Sequence, residues 1–342
     1  MSTFLRAISA DAIQTMTPTR QGERKLGQTV GTLSGAGKLA EELRALPDAR
    51  FALLLVPEDI GVRANFGRAG AAALAQTALR RLLAMQDNNF LRGESIVVLG
   101  EVLVQDLMQQ AVGMDANRPA DSQRLCALVG EVDARVASVV EVVAREGRTL
   151  IVFGGGHENA YGLLAGLHAA IGSPLACVNL DAHADLRDDA GRHSGNPFSK
   201  AMLAGNLSRY AAIGLHESFL NQHMSRRLRD EPALQATTLD SILRGECSLT
   251  EGCARAVKHV GAQPCTLEVD LDVIAGMAAS AISASGLQAE DVRRSVHQLA
   301  NALDLRALHI CEGIPGESDA SGAGKLAAMI ACDFIKCLQG KA

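Results

Sequence analysis

The sequence predicts a three-layer α/β/α protein, in which a mainly parallel sheet of about eight strands lies between two layers of helices. Three observations predict this class. Short apolar runs alternate along the chain with longer helix-like stretches. Most of the short runs are continuously apolar, as expected for strands that are covered on both faces. The 342-residue chain has 48% hydrophobic and 21% charged residues, which is typical of a folded domain.

Seven strands are predicted from continuous apolar runs. In chain order they are Phe51–Val56, Ser95–Leu99, Thr149–Phe153, Leu175–Leu180, Tyr210–Ile213, Cys265–Val269 and Ala307–Cys311. An eighth, weaker candidate at Ala236–Leu239 is short and contains two threonines.

Helix-like stretches separate these strands. They are Ala71–Met85, Asp121–Arg145, Asn159–Ala170, Leu287–Leu303 and Ala323–Cys337. Residues 1–45 are polar and partly helical, and we expect them to form an N-terminal extension that packs on the domain or contributes to a subunit contact. No repeat or linker divides residues 46–342, which we interpret as one domain.

Composition excludes several classes of function. The net charge is −5 and no Lys/Arg-rich block occurs, which argues against binding to nucleic acid or to an anionic membrane. No apolar run reaches the length of a membrane span, and the first ten residues make a poor secretory signal. The eight cysteines form no C-x-x-C pair and no zinc-like spacing, so we expect a reduced, cytoplasmic protein.

Acidic and histidine residues follow four of the predicted strands, where the ligands of open α/β sheets gather. They occur in the segments Gly154-Gly155-Gly156-His157-Glu158, Asp181-Ala182-His183-Ala184-Asp185 and Asp270-Leu271-Asp272, and as Glu312. Residues at alternate positions of an extended segment project to one side. Clustered carboxylates repel one another unless cations neutralise them, and a carboxylate-rich set with few imidazoles suits Mn, Mg or Fe(II). The pattern therefore predicts a site for one or two divalent ions that activate water.

Each motif also has a plainer interpretation on its own. The triple glycine with His157 is compatible with a tight turn or a phosphate-binding loop, although no Lys-Ser/Thr follows it. Asp181–Asp185 alone is compatible with a solvated turn. The occurrence of all the motifs after predicted strands favours the metal site.

These residues resemble the ureohydrolase (arginase–agmatinase) superfamily of binuclear manganese hydrolases, over about the whole chain beyond residue 45. Further matching segments are Val56–Asn65, Gly67–Ala71 and Ser194-Gly195-Asn196. The resemblance implies an arginase-like fold and two Mn²⁺ per subunit. The ligands it implies are His157, Asp181, Asp185 and Asp270 for one ion, and Asp181, His183, Asp270 and Asp272 for the other.

Within the superfamily, the chain most resembles the formimidoylglutamases. Arginases and agmatinases usually have Gly-Gly-Asp-His-Ser where this chain has Gly-Gly-Gly-His157-Glu158. Asp185-Leu186-Arg187 and the segment 194–198 resemble the same group, whereas residues 279–286 lack the prolines that the group carries there. Arginases have a shuttle histidine two residues after Ser-Gly-Asn; this chain has Phe198 there and His193 on the other side.

The implied reaction is the hydrolysis of N-formimidoyl-L-glutamate to L-glutamate and formamide, a step of histidine degradation. A metal-bridging hydroxide would attack the amidine carbon. Asp185 would relay a proton to the leaving amine and Glu312 would accept hydrogen bonds from the amidinium. His193 is a candidate shuttle, although a loop histidine is the plainer interpretation. The candidates for binding the substrate carboxylates are Arg187, Arg192, Ser194 and Asn196, and a structural role is the alternative for either arginine.

Two other functions stay open at this point. One is a guanidino-compound amidinohydrolase, like an agmatinase, guanidinobutyrase or arginase, that releases urea. The other is a non-catalytic metal-binding relative, which the filled ligand positions disfavour. We expect a small amidine substrate, a homo-oligomer, and no nucleic-acid or membrane partner.

Overall fold

A ten-stranded sheet with helices on both faces forms the protein in the computed structural model, which describes residues 4–340. The strands are β1 (Leu5–Ala7), β2 (Gly31–Thr32), β3 (Phe51–Leu55), β4 (Ile96–Val102), β5 (Thr149–Phe153), β6 (Leu175–Leu180), β7 (Leu207–Leu215), β8 (Leu234–Thr238), β9 (Pro264–Asp270) and β10 (Asp304–Cys311). The ends of the chain, residues 1–3 of the expected extension and residues 341–342 of the expected domain, lie outside the described residues.

Thirteen α-helices connect the strands in the described part of the chain. They are α1 (Ala10–Met16), α2 (Leu39–Arg44), α3 (Ile60–Ala64), α4 (Ala73–Leu83), α5 (Gln105–Ala111), α6 (Pro119–Arg145), α7 (Asn159–Ile171), α8 (Pro197–Leu203), α9 (Gln222–Asp230), α10 (Leu239–Leu243), α11 (Leu249–Val260), α12 (Ala289–Ala302) and α13 (Ala323–Gln339). No helix among residues 4–340 has the length and apolar character needed to cross a membrane.

The strand order is β1-β4-β3-β5-β10-β9-β6-β7-β8, and β2 also pairs with β4. Every pairing is parallel except that of β1 with β4. The predicted three-layer class with a mainly parallel sheet is confirmed. Because β5, β10, β9 and β6 are neighbours and run in one direction, their carboxyl ends meet at one edge of the sheet.

The apolar core has two halves, one on each face of the sheet. Successive residues of β3 alternate between them: Leu53 and Leu55 pack with α4 and α13 on one face, and Ala52 and Leu54 pack with α6 and α7 on the other. A strand buried on both faces needs apolar residues at every position, which explains the continuous runs in the sequence.

The sheet has ten strands instead of about eight because β1 and β2 are additional. They contain three and two residues, too few for a periodicity that a sequence could reveal. Leu5 of β1 is the register partner of Val102, so this strand pairs with β4 in the direction opposite to the other strands. The weaker candidate strand near Ala236 is present as β8.

Candidate metal centre

The ends of four strands bring the predicted acidic and histidine residues of the site to one edge of the sheet. His157 follows β5, Asp181 follows β6, Asp270 ends β9 and Glu312 follows β10. All four residues are buried. The apolar strands thus fix the polar groups in a region from which water is largely excluded.

The first donor group surrounds Nδ1 of His157. This atom lies 3.3 Å from Oδ2 of Asp181, 3.0 Å from Oδ2 of Asp185 and 3.3 Å from Oδ2 of Asp270. Neighbouring ligands of a six-coordinate divalent ion, with bonds of about 2.1–2.4 Å, stand roughly 3.0–3.4 Å apart. These four side chains therefore have the spacing of ligands around one ion.

The second donor group consists of Asp181, His183 and Asp272. Nδ1 of His183 lies 2.9 Å from Oδ2 of Asp272 and 3.8 Å from Oδ1 of Asp181. Asp181 presents one oxygen to each group and is placed to bridge them. The resemblance also implies a bridge by Asp270, whose Oδ2 lies in the first group. Oδ1 of Asp270 accepts the backbone N–H of Asp272 at 2.9 Å, just as Oδ1 of Asp181 accepts the N–H of His183 at 2.7 Å, and the bridge by Asp270 stays a prediction.

The electrostatics of these residues fit a pair of divalent cations. Burial raises the pKa of Asp270, and the neighbouring charges of Asp272 and Asp181 raise it further. Burial and Asp181 likewise raise the pKa of Asp185. Both ring nitrogens of His157 are buried without a hydrogen-bond partner among the described residues. Bound cations would offset the repulsion and satisfy Nδ1, and a donor set rich in carboxylates favours Mn, Mg or Fe(II) over a structural zinc.

The backbone is strained at two of the site carboxylates. Asp185 has φ +48° and Glu312 has φ +65°, in the left-handed region that non-glycine residues seldom occupy. Glu312 is held there by two hydrogen bonds to the glycine turn after β5: its Oε1 accepts the N–H of His157 at 2.7 Å, and its own N–H donates to the carbonyl of Gly155 at 2.8 Å. A Cβ on Gly155 would lie 1.4 Å from the carbonyl oxygen of Glu58, so the turn requires glycine.

Glu312 keeps one carboxylate oxygen for another partner. Its Oε2 is buried and makes no hydrogen bond of normal geometry to residues 4–340, although the nearby Ser280 side chain lowers the pKa of this carboxyl. Burial raises the pKa of Glu312 to about 8, whereas a nearby cation would favour the ionised form. The carboxyl can therefore bind a cationic group in the cavity.

A cavity of about 260 Å³ opens above the two donor groups. It is large enough for a small molecule. The predicted site residues that line it are His183, Asp185, Arg187, Ser194, Asp270, Asp272 and Glu312. The exposed Arg187 lies at its rim, and Oγ of Ser194 accepts a hydrogen bond from Nδ2 of Asn65 at 3.2 Å.

Arg192 and Asn196 do not line this cavity, which favours a structural role for them over the expected contact with substrate. Nε of Arg192 donates to Asp133 at 2.8 Å, and its Nη2 donates to the carbonyl of Glu158 at 3.0 Å. Its guanidinium also lies over the Tyr161 ring, 4.7 Å from the centroid. Oδ1 of the buried Asn196 accepts hydrogen bonds from Arg192 and from the backbone N–H of His193. Both residues thus stabilise the loop that carries Ser194.

His193 is buried beside the cavity instead of lining it. Its Nδ1 accepts the N–H of Gly195 at 3.2 Å, and burial lowers its pKa to about 4. The ring is therefore neutral at pH 7 and already used in the loop. This geometry gives no support to a proton shuttle at His193.

We expect His193→Asn to lower kcat/KM by less than about tenfold, because the asparagine amide can replace the ring as a partner in the loop. Steady-state kinetics with and without the substitution would measure this. A loss on the order of a thousandfold, with normal folding, would instead assign the shuttle to His193.

Sequence reasoning missed the buried polar network behind the glycine turn. Glu58 accepts hydrogen bonds from Ile60 N–H at 2.8 Å and from the Asn159 amide, and Glu158 accepts the Gly61 N–H at 2.7 Å. Glu58 follows a predicted strand, as the metal-site residues do, and that position was the available signal.

The ring of Phe219 was also missed. It stacks on His183 with centroids 5.2 Å apart and on His216 with centroids 4.6 Å apart, and the ring planes are nearly parallel in both pairs. It therefore fixes the plane of a predicted metal ligand. No sequence pattern marks this residue, because it lies in a short turn after β7.

Comparison with known proteins agrees with this architecture. Residues 49–338 match the model of the arginase family. The formimidoylglutamase of Citrobacter koseri is 32% identical over 296 residues, which are 82% of this chain and 83% of that protein. The formimidoylglutamase of Nocardia farcinica is 35% identical over 168 residues, and this match spans only 46% of its length.

Solved structures share the fold at lower identity. The formiminoglutamase of Trypanosoma cruzi, crystallised with Mn²⁺, has a TM-score of 0.70 at 18% identity, over 92% of this chain and 98% of that one. The formimidoylglutamase of Bacillus subtilis has a TM-score of 0.71 at 15% identity, over 94% of both chains. The resemblance seen in the sequence motifs is confirmed: the chain belongs to the arginase family of hydrolases.

Proposed function

We propose that the protein hydrolyses N-formimidoyl-L-glutamate to L-glutamate and formamide, as a step of histidine degradation, with two Mn²⁺ bound. The observation that carries this proposal is the pair of donor groups joined by Asp181 at the floor of a cavity with Glu312 in its wall. The relatives named formimidoylglutamase support the choice of substrate, since one of them aligns over more than four fifths of both chains.

The residues for the two ions follow from the donor groups. His157, Asp181, Asp185 and Asp270 would hold one ion, and Asp181, His183 and Asp272 the other, with Asp270 as the second bridging ligand that the resemblance implies. When bound, the ions supply a water of lowered pKa and a Lewis acid for the amidine.

The cavity residues would orient the substrate by charge. The carboxylate of Glu312 would bind the cationic amidinium, to which its unpartnered Oε2 is available. Arg187 at the rim would bind a substrate carboxylate. These two contacts would orient the substrate within the cavity.

Asp185 would move the proton that the reaction requires. The C–N bond to the glutamate nitrogen breaks, and that nitrogen takes a proton as it leaves. The Asp185 carboxyl lines the cavity, where it can reach a bound substrate and carry this proton.

A product assay tests the proposal. The Mn²⁺-loaded protein is incubated with formimidoylglutamate, arginine, agmatine and guanidinobutyrate, and formamide and urea are both measured. We expect formamide from the first compound and little urea from the others. Faster urea release from a guanidino compound would overturn the assignment in favour of a guanidino-compound hydrolase. No product and no bound metal would favour a non-catalytic relative.

We expect Arg187→Ala to lower kcat/KM for formimidoylglutamate on the order of tenfold to a hundredfold, mostly through KM, because a charge-assisted pair with the carboxylate is lost. Both metal ions should remain bound, because Arg187 is in neither donor group. Steady-state kinetics and metal analysis of the same preparation would check this.

Arg187→Lys is the matched variant, since lysine keeps the charge but not the forked geometry. It should recover part of the lost affinity. An unchanged KM in Arg187→Ala would move the carboxylate contact to another residue.

A further inference from the structure

A pair of ionisable residues lies in the interior of the sheet, beneath the first donor group. Glu268 on β9 and His309 on β10 are register partners on adjacent strands, and both are fully buried. Nδ1 of His309 lies 2.7 Å from Oε2 of Glu268. The pair has no part in the proposed reaction, and we refer to it as the Glu268–His309 dyad.

The dyad faces the far side of the His157 ring. Nδ1 of His157 points to the three carboxylates of the first donor group, whereas its Nε2 lies 3.9 Å from Oε2 of Glu268. The centroids of the His157 and His309 rings are 6.1 Å apart. The His157 ring therefore stands between the metal centre and the dyad.

A histidine that ligates a metal through Nδ1 carries its proton on Nε2, and this proton needs an acceptor. In the structure, Nε2 of His157 and Oε1 of Glu268 are both buried and both lack a hydrogen-bond partner. The last torsion of a glutamate is soft, so a small rotation of the Glu268 carboxylate can shorten the contact. The carboxylate oxygen nearer to Nε2 is Oε2, at 3.9 Å, which also faces His309, and Oε1 is the unpartnered oxygen of the same carboxylate.

Cys311 and the ring of His309 also lie close to His157, and Nε2 of His309 is buried without a hydrogen-bond partner among the described residues. A carboxylate is a stronger acceptor than a neutral imidazole, which leaves Cys311 as the group to consider. Its sulfur and the ring nitrogens of His157 and His309 lie within 4.8 Å of one another. A thiol sulfur is a weak acceptor, and Sγ of Cys311 already faces the carbonyl of Val269 at 3.8 Å. A soft cation held by these three residues would require Nε2 of His157 to lose its proton while Nδ1 binds another ion. The carboxylate is therefore the better partner.

We propose that Glu268, oriented by His309, accepts a hydrogen bond from Nε2–H of His157 and so presents Nδ1 to the metal. Glu268 and His309 are positioning residues in this account, which rests on the metal centre of the proposed function. Because His157 belongs only to the first donor group, the dyad should act on one of the two ions.

The test is to measure manganese binding by the Glu268→Gln variant with two methods, calorimetric titration and electron paramagnetic resonance. We expect one of the two ions to bind on the order of 10–100-fold more weakly, the usual effect of losing such an outer partner. The other ion should bind as in the unmodified protein. At intermediate Mn²⁺ concentrations, the spectrum should show an isolated ion instead of a coupled pair.

Two matched variants complete the design. His309→Asn keeps an N–H donor near the position of Nδ1 and should retain most of the affinity. His309→Leu removes the donor and should weaken the same ion as Glu268→Gln. These two variants decide the question if Glu268→Gln does not fold. Cys311→Ala should leave both ions bound with unchanged affinity.

Three results would overturn the proposal: equal weakening of both ions together with a lower melting temperature, loss of affinity in Cys311→Ala, or a third tightly bound metal in the unmodified protein. Normal binding of two ions by Glu268→Gln would also overturn it, without affecting the proposed function. A failure of the proposed function appears differently, as an unmodified protein that binds no Mn²⁺ or releases no formamide.

Discussion

Asp181→Asn is expected to release at least one metal ion and to reduce hydrolysis on the order of a thousandfold or more. Asp181 presents Oδ2 to the first donor group and Oδ1 to the second, so the change weakens both ion sites at once. The fold should persist, because the sheet is built from apolar strands that do not depend on the ions. Metal content, rate and circular dichroism of one preparation measure all three expectations.

Asp189→Asn is the matched control, since it removes an exposed carboxylate from the same loop. It should keep both ions and near-normal turnover.

Asp270→Asn should release an ion and remove nearly all hydrolysis, because Asp270 supplies a carboxylate oxygen to the first donor group. Two equivalents of manganese and normal turnover in Asp181→Asn would refute the ligand assignment.

Glu312→Gln is expected to lower kcat/KM for formimidoylglutamate on the order of a hundredfold or more while both ions stay bound. The substitution preserves shape but removes the charge that would face the amidinium, and the amide can still accept the His157 N–H. Glu312 is in neither donor group, which is why metal content should not change. Kinetics beside metal analysis would check both statements.

The same residue predicts a proton release. Burial raises the pKa of Glu312 to about 8 in the absence of metal ions, and bound cations favour its ionised form. Loading the unmodified protein with Mn²⁺ should therefore release more protons than loading Glu312→Gln, as measured by calorimetry in buffers of different ionisation enthalpy. Loss of manganese from Glu312→Gln would make Glu312 a metal ligand rather than a substrate contact.

The central strands were predictable because burial on both faces imposes a continuous apolar run. β3 and β5 lie within a residue of their predicted bounds. β7 is longer than its apolar segment, since the polar residues Ser208 and Arg209 extend it beside β6. β1 and β2 exist only through pairing with β4, which no local pattern reveals.

The residues of the candidate site that directly follow a strand could be predicted from the sequence. Contacts between residues that are distant in the sequence could not. Asp181 and Asp270 could be identified by position. Arg192 could not be separated from Arg187, because its partner Asp133 lies on α6, 59 residues away along the chain. Glu268 had a signal that went unused: a carboxylate within a run that is otherwise buried and apolar requires a partner.

The left-handed backbone at Asp185 and Glu312 lowers the stability of the protein at two residues whose carboxylates its activity requires. Such a conformation costs roughly 1–2 kcal/mol at each non-glycine residue, a noticeable share of the net stability of a folded protein. Glycine would relieve the strain at either position but would remove the carboxylate. Laboratory evolution for thermal tolerance alone should therefore favour glycine at these two positions and yield a more stable but inactive protein. A screen that also requires turnover should find its stabilising substitutions at other positions.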